Sequence, residues 1–405
     1  MEAARDGAAP EVARDGAAPE VARDLGIYVH VPFCAVRCGY CDFNTYAPGE
    51  AAGATREGYV EAALAEMAMA WGTMHGDGRP ARTVFFGGGT PTMLDPAALA
   101  ALLAGVRATW GLADDAEVTT EANPDSVTPE SLATLAEAGF TRVSLGMQSA
   151  VPHVLATLDR THEPANVARA VEGARAAGLA VSLDLIYGTP GESLADWRTS
   201  LETAIALGPD HVSAYALVIE PGTRMGGQLR RGEIAATDPD TQADMYELAD
   251  TLLSEAGYSW YEVSNWARTP ADACRHNVAY WHSQDWWGVG PGAHSYLGPG
   301  PDGTGARRWW NVKHPRAYAA RLAAGESPAA EVEPLSAEDL ALEAVMLRLR
   351  LADGIPRSLV EGRSEQIARL VGDGLLDGRD ALAGTLRLTR RGRLLADLAV
   401  RALAF

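Results

Sequence analysis

The 405-residue chain is poor in cysteine, in lysine and in long apolar runs. Four cysteines in this length do not build a disulfide framework. Three of them, Cys34, Cys38 and Cys41, fall in one short stretch, which points to a metal or redox site in a reducing compartment such as the cytoplasm. Lys313 is the single lysine, so the positive charge rests on arginine. A formal net charge of −19 argues against a general nucleic-acid or anionic-membrane binder. No run approaches the roughly 18 apolar residues that a membrane-spanning helix needs. The N-terminus carries ARDGAAPEV at 4–12 and again at 13–21. It is small, polar and proline-containing, so residues 1–24 read as a disordered extension.

From Leu25 onward, strand-length apolar runs alternate with Ala/Leu-rich helical stretches. The runs lie at 26–31, 82–86, 116–121, 141–146, 180–186 and 211–217. The helical stretches lie near 57–71, 96–108, 129–138, 163–177 and 193–206. Such alternation predicts βαβ units and a parallel sheet. The expected fold is α/β, a six-stranded parallel partial barrel of the TIM type over 25–225. A barrel extension follows over 226–330, and 320–335 reads as a linker. A mainly helical, winged-helix-like domain is expected over 335–405, built as helix, small hairpin, helix. Ligands of such sheets collect at the carboxyl ends of the strands.

The stretch CAVRCGYC (34–41) directly follows the first strand, with spacing Cys-x3-Cys-x2-Cys. Structural zinc sites use four ligands, typically in two pairs. Three thiolates from one loop suit a four-iron cluster and leave one iron without a protein ligand. A three-cysteine zinc site completed by a distant His or by Cys274 is the alternative. Further motifs also follow strand ends: FFGGGTPT (85–92), TEANP (120–124), SLGMQS (144–149), LDRTH (158–162) and SLDLIYGTPGE (182–192). The glycines let backbone approach a ligand closely.

In this order the motifs resemble those of the radical S-adenosylmethionine superfamily, over roughly residues 25–400. The resemblance implies a 4Fe-4S cluster on Cys34, Cys38 and Cys41. It also implies S-adenosylmethionine held by Tyr28, Gly88, Gly89, Glu121, Gln148, Arg160 and Asp184. The combination YVHVPFC, GGGTPT, LGMQS and DLIYGTPG is similar to the oxygen-independent coproporphyrinogen III oxidase group. The true oxidases of that group carry a further cysteine two residues past the third. Here that residue is Phe43, and CDFNTY resembles the haem chaperone branch, HemW.

CRHNVAYW (274–281) and HVSAYALVIEPGT (211–223) resemble the same branch. The resemblance implies haem as cargo, with His276 as the expected iron ligand and Cys274 as a second donor or attachment point. His294 in GVGPGAHSY (288–296) is an alternative ligand. Imidazole is a good axial ligand, and aromatic side chains cover macrocycle faces. A bland reading stands beside this one, in which Cys274 is a buried thiol and His276 bonds backbone. Expected partners are acceptor haemoproteins such as respiratory enzymes, and a reductant such as flavodoxin or ferredoxin. Nucleic acid is not among them, although Arg387, Arg390, Arg391 and Arg393 form a small basic cluster. The rival functions are radical decarboxylation of coproporphyrinogen and an iron–sulfur DNA-binding regulator.

Overall fold

The computed structural model describes residues 23–404 except 52, 74–77 and 301–302. The two nonapeptide repeats therefore lie outside the described residues. Arg23 and Asp24, counted with that extension on sequence, are engaged with the fold. Arg23 pairs with Asp285 at 2.9 Å, and the Asp24 amide donates to Gln284 at 2.8 Å.

The expected strands are present as β1 (Leu25–Val31), β2 (Ala81–Gly88), β3 (Leu112–Ala122), β4 (Arg142–Gln148), β5 (Ala180–Tyr187) and β6 (His211–Ala216). They pair in parallel, in sequence order. Most of β1 is buried on both faces, as the near-continuous run LGIYVHV requires. The intervening helices start on side-chain caps. Asp95, Thr128 and Ser193 each accept an amide of the first helical turn.

Six strands are not the whole sheet. It continues through β7 (Ser259–Glu262), β8 (Asn265–Ala267), β9 (Asp285–Val289), β10 (His294–Leu297), β11 (Arg307–Asn311) and β12 (Ala329–Pro334). The order is β12-β11-β10-β9-β1-β2-β3-β4-β5-β6-β8-β7, twelve strands in all. β9 lies parallel to β1, so the parallel section has seven members. These later strands are short, and β7 to β10 lie within aromatic-rich stretches that masked them. The stretch expected as a linker at 320–335 carries the end of a helix (Pro315–Ala323) and the edge strand β12. Side chains of β2 through β6 line one cleft, so the sheet curls around it.

A separate apolar cluster from Val345 to Leu403 marks a C-terminal unit. It contains helices Ala337–Arg348, Ser364–Gly372 and Ala396–Ala404. In the stretch expected as a hairpin, Leu376 and Leu388 pair antiparallel around a helical turn at Gly378–Ala383, and Thr385–Leu386 also pairs with the distant Ile355–Pro356. The basic cluster there is largely neutralised. Arg390 and Arg393 hold Asp250 at 3.2 and 2.9 Å, and Arg387 meets Asp380 at 3.2 Å. Arg393 also covers the Trp260 ring, 3.8 Å from its centre. Among the described residues, no helix is long and apolar enough to cross a membrane.

Candidate functional site: a cleft at the strand ends

The loop after β1 folds back on itself. The Cys34 amide donates to the Tyr46 carbonyl at 3.1 Å, and the Tyr46 amide to the Pro32 carbonyl at 2.7 Å. Asn44 ties this loop to distant chain: its Nδ2 donates to the carbonyls of Pro291 and Lys313 at 2.9 and 2.8 Å. His30 Nε2 sits 2.9 Å from the Asn44 carbonyl, and its Nδ1 lies 3.0 Å from the Tyr28 hydroxyl. Sequence reasoning missed Asn44 and His30. Their signal, polar residues flanking the cysteines, is indistinguishable from ordinary loop polarity.

Cys34, Cys38 and Cys41 line one cleft of about 620 Å³ together with Gly88, Gly89, Glu121, Gln148, Arg160 and Asp184. Gly88 has φ 110°, and a Cβ there would meet the His30 ring at 2.6 Å. At Gly89 a Cβ would stand 2.6 Å from the Phe33 carbonyl oxygen and 3.0 Å from Cys34 Sγ. The glycine strand end thus packs directly against the cysteine loop. The Gly88 amide donates to Glu121 at 3.1 Å. Burial, reinforced by nearby Asp184, pushes the Glu121 carboxyl up to about 8. Ser144 donates to the Asp184 carboxylate at 2.8 Å, while burial pushes the Asp184 pKa up. Gln148 holds φ 59°, a left-handed conformation that L-residues adopt at a cost, as functional sites often do. Arg160 donates to the Gly146 carbonyl at 2.8 Å and lies 3.6 Å from Cys38 Sγ. Tyr28 is not in the cleft lining but shares its face of the sheet: it is the register partner of Phe85, and a Cβ on Gly87 would touch both its ring and Glu121.

The donor set suits an iron–sulfur cluster. Burial, with Cys41 and Cys38 close by, pushes the Cys34 thiol up to about 11. A cationic centre relieves that repulsion by binding thiolates. Among the described residues no three His, Cys, Asp or Glu side chains converge on a single ion, as a zinc site would require. In a cluster each thiolate takes a different iron. Phe43 lies on the rim of the cleft, 59% exposed.

The candidate haem residues are placed differently. His276 is 1% exposed, with Nδ1 2.8 Å from Thr83 Oγ1 and Nε2 2.8 Å from the Tyr280 hydroxyl. Burial pushes this imidazole down to about 3, so it is neutral. Phe85 stacks on it with ring centres 5.3 Å apart. Cys274 faces the cleft floor beside Glu117, Sγ to Oε1 3.7 Å, and burial raises its thiol. His294 lies outside the cleft lining, stacked on Trp310 with ring centres 5.7 Å apart.

The radical SAM superfamily matches over residues 28–204. The chain is 51% identical to the haem chaperone HemW of Mycobacterium tuberculosis over 380 residues, which is 93% of this chain and 94% of that protein. It belongs to the HemW family. The HemW of Escherichia coli is 37% identical over 82% of this chain and 84% of its own length. The solved coproporphyrinogen III oxidase HemN of Escherichia coli superposes with a TM-score of 0.78 over 94% of this chain and 90% of its own. At 23% identity that likeness concerns the fold, and it supports a partial barrel for the curled sheet. The cysteine loop, the glycine strand end, the polar ends of β3, β4 and β5, and Arg160 from the loop after the helix Pro152–Thr157 all line one cleft.

Proposed function

We propose that the protein is a haem chaperone: it binds haem and passes it to acceptor haemoproteins, such as respiratory enzymes. What carries the reading is the family match along nearly the whole chain, joined to a cleft with three cysteines and Phe43 on its rim. Cys34, Cys38 and Cys41 would hold a 4Fe-4S cluster, and Gly88, Gly89, Glu121, Gln148, Arg160 and Asp184 the S-adenosylmethionine beside it. When bound, that pair supplies one-electron reduction and radical chemistry. Arg160 offers a planar fork to a carboxylate, with its Nε buried and unpartnered by protein. Glu121 and Asp184 offer acceptors to hydroxyl or amino groups. Tyr28 would act from beside Phe85, next to the cleft lining. A flavodoxin or ferredoxin would supply the electron.

His276 remains the proposed iron ligand, on one condition. Both of its ring nitrogens are taken by Thr83 and Tyr280, so ligation requires that chain to open. Haem uptake through His276 is therefore coupled to a local rearrangement. Cys274 enters the proposal only as a neighbour on the cleft floor.

The deciding experiment is titration of the anaerobically reconstituted chain with haem, followed by its absorption spectrum. A saturable Soret shift is expected, and its absence sinks the chaperone reading. Incubation with coproporphyrinogen, S-adenosylmethionine and reductant tests the oxidase reading. Protoporphyrinogen formation at a useful turnover would replace one function with the other.

A further inference from the structure

Inward side chains of an α/β barrel are usually bulky and branched and fill the interior. Here the inward row is small and polar: Thr119 on β3, Ser144 on β4, Ser182 on β5 and Ser213 on β6. The cleft consequently runs past Glu121 and Asp184 to a floor formed by Arg142, Cys274 and Asn277. Two polar atoms at that depth have no protein partner. Arg142 is 4% exposed; its Nη2 donates to the Asp272 carbonyl at 2.8 Å and lies 3.4 Å from Glu117, while its Nη1 is buried and unpaired. Thr119 is 1% exposed, and its hydroxyl is likewise unpaired. The two residues are register partners on adjacent strands, so their side chains stand together on the cleft face.

Buried donors left without acceptors are uncommon and need a cause. Glu117 does not consume the guanidinium alone, because it also accepts the Arg275 and His276 amides at 3.1 and 3.2 Å. An unpaired guanidinium N–H beside a hydroxyl is donor chemistry suited to a carboxylate. We propose that the floor of the cleft is a second binding site, separate from the cofactor residues, that takes a carboxylate group through Arg142 and Thr119. The carboxylate belongs either to a small free acid or to a propionate arm of the cargo. Only the second source rests on the haem reading.

The test uses full-length reconstituted protein and the Thr119→Val variant, which keeps the side-chain shape, with Arg142→Gln beside it. Sodium succinate and sodium chloride at matched ionic strength are compared by thermal melting. Haem and haem dimethyl ester are compared by Soret titration. If the source is a free acid, succinate raises the melting temperature of the parent above chloride, and Thr119→Val weakens that response about tenfold in concentration. If the source is the cargo, the parent binds haem about tenfold more tightly than the ester, and Thr119→Val erases the difference. The proposal is overturned if the parent melts alike in both salts and binds haem and ester alike, which leaves a water-filled floor. A saturable Soret response in that case preserves the haem reading. A succinate response without any Soret response preserves the site and sinks the haem reading. Should Arg142→Gln fail to fold, because it strands Glu117, Thr119→Val decides alone.

Discussion

Replacing Gly89 by alanine should cripple cluster assembly through one methyl group. The added Cβ would lie 2.6 Å from the Phe33 carbonyl oxygen and 3.0 Å from Cys34 Sγ. Comfortable non-bonded contacts lie near 3.5–4.0 Å, so the gap must open by about 1 Å. The nearest atom is main chain, so no side-chain rotation relieves the clash. The same junction is tied by two short hydrogen bonds, Gly89 amide to Val31 carbonyl at 2.8 Å and Thr90 amide to Phe33 carbonyl at 2.7 Å. Overpacking of this kind costs about 1–3 kcal/mol. The displaced residue is Cys34, so the cost should appear as lost iron as well as lost stability. Iron and sulfide content after anaerobic reconstitution, with urea unfolding followed by circular dichroism, measures both. Gly222→Ala is the control, since a Cβ there meets nothing within 4 Å; it should stay within about 0.5 kcal/mol of the parent. Gly89→Ala with a full complement of iron would refute the link between the glycine strand end and the cysteine loop.

Other expectations follow from single sites. Glu262 is 1% exposed with Oε2 unpaired, and burial pushes its carboxyl from 4.5 up to about 8. The folded state then keeps a proton that the unfolded chain has lost, so stability falls as pH rises through that window, by up to about 1.4 kcal/mol per pH unit. Glu262→Gln should flatten the dependence by one proton in urea unfolding between pH 5 and pH 8, and an unchanged slope would remove Glu262 as its source. Gln148→Gly relieves the φ 59° conformation but adds unfolded-chain entropy, so stability should stay within about 1 kcal/mol. Calorimetric titration with S-adenosylmethionine should nonetheless show weaker binding; undiminished affinity would take Gln148 out of the cofactor site. His276→Ala strands Thr83 and Tyr280 and should cost about 2–4 kcal/mol. It should also alter the Soret band, while Thr83→Val, which loosens the imidazole, should speed haem uptake in stopped flow. An unaltered band in His276→Ala would remove His276 as ligand.

Local chemistry made much of this molecule legible in its sequence. The six leading strands and their helices follow from apolar runs, caps and glycine stops, all set by nearest neighbours along the chain. The order of the strand-end motifs also sufficed to bring the cysteines, Gly88, Gly89, Glu121, Gln148 and Asp184 to one mouth, because parallel strands put all their carboxyl ends on the same side, and Arg160 joins them from the loop after the helix Pro152–Thr157. Pairing across long separations was not legible. That β9 runs beside β1 depends on contacts more than 250 residues apart, and no local pattern encodes the choice of neighbour. The same holds for the seal on His276, a residue that reads as a free ligand until Thr83 and Tyr280 close on it. Arg142 is plainer still. In the sequence it is one of many arginines, and only the small side chains on β3 through β6 let the cleft run down to it, with one buried nitrogen unpaired. Sequence alone singled out the residues that gather at the cleft mouth. Tertiary structure decided which are available and how deep the cleft runs, since burial and partnering belong to the packed chain and not to any segment of it.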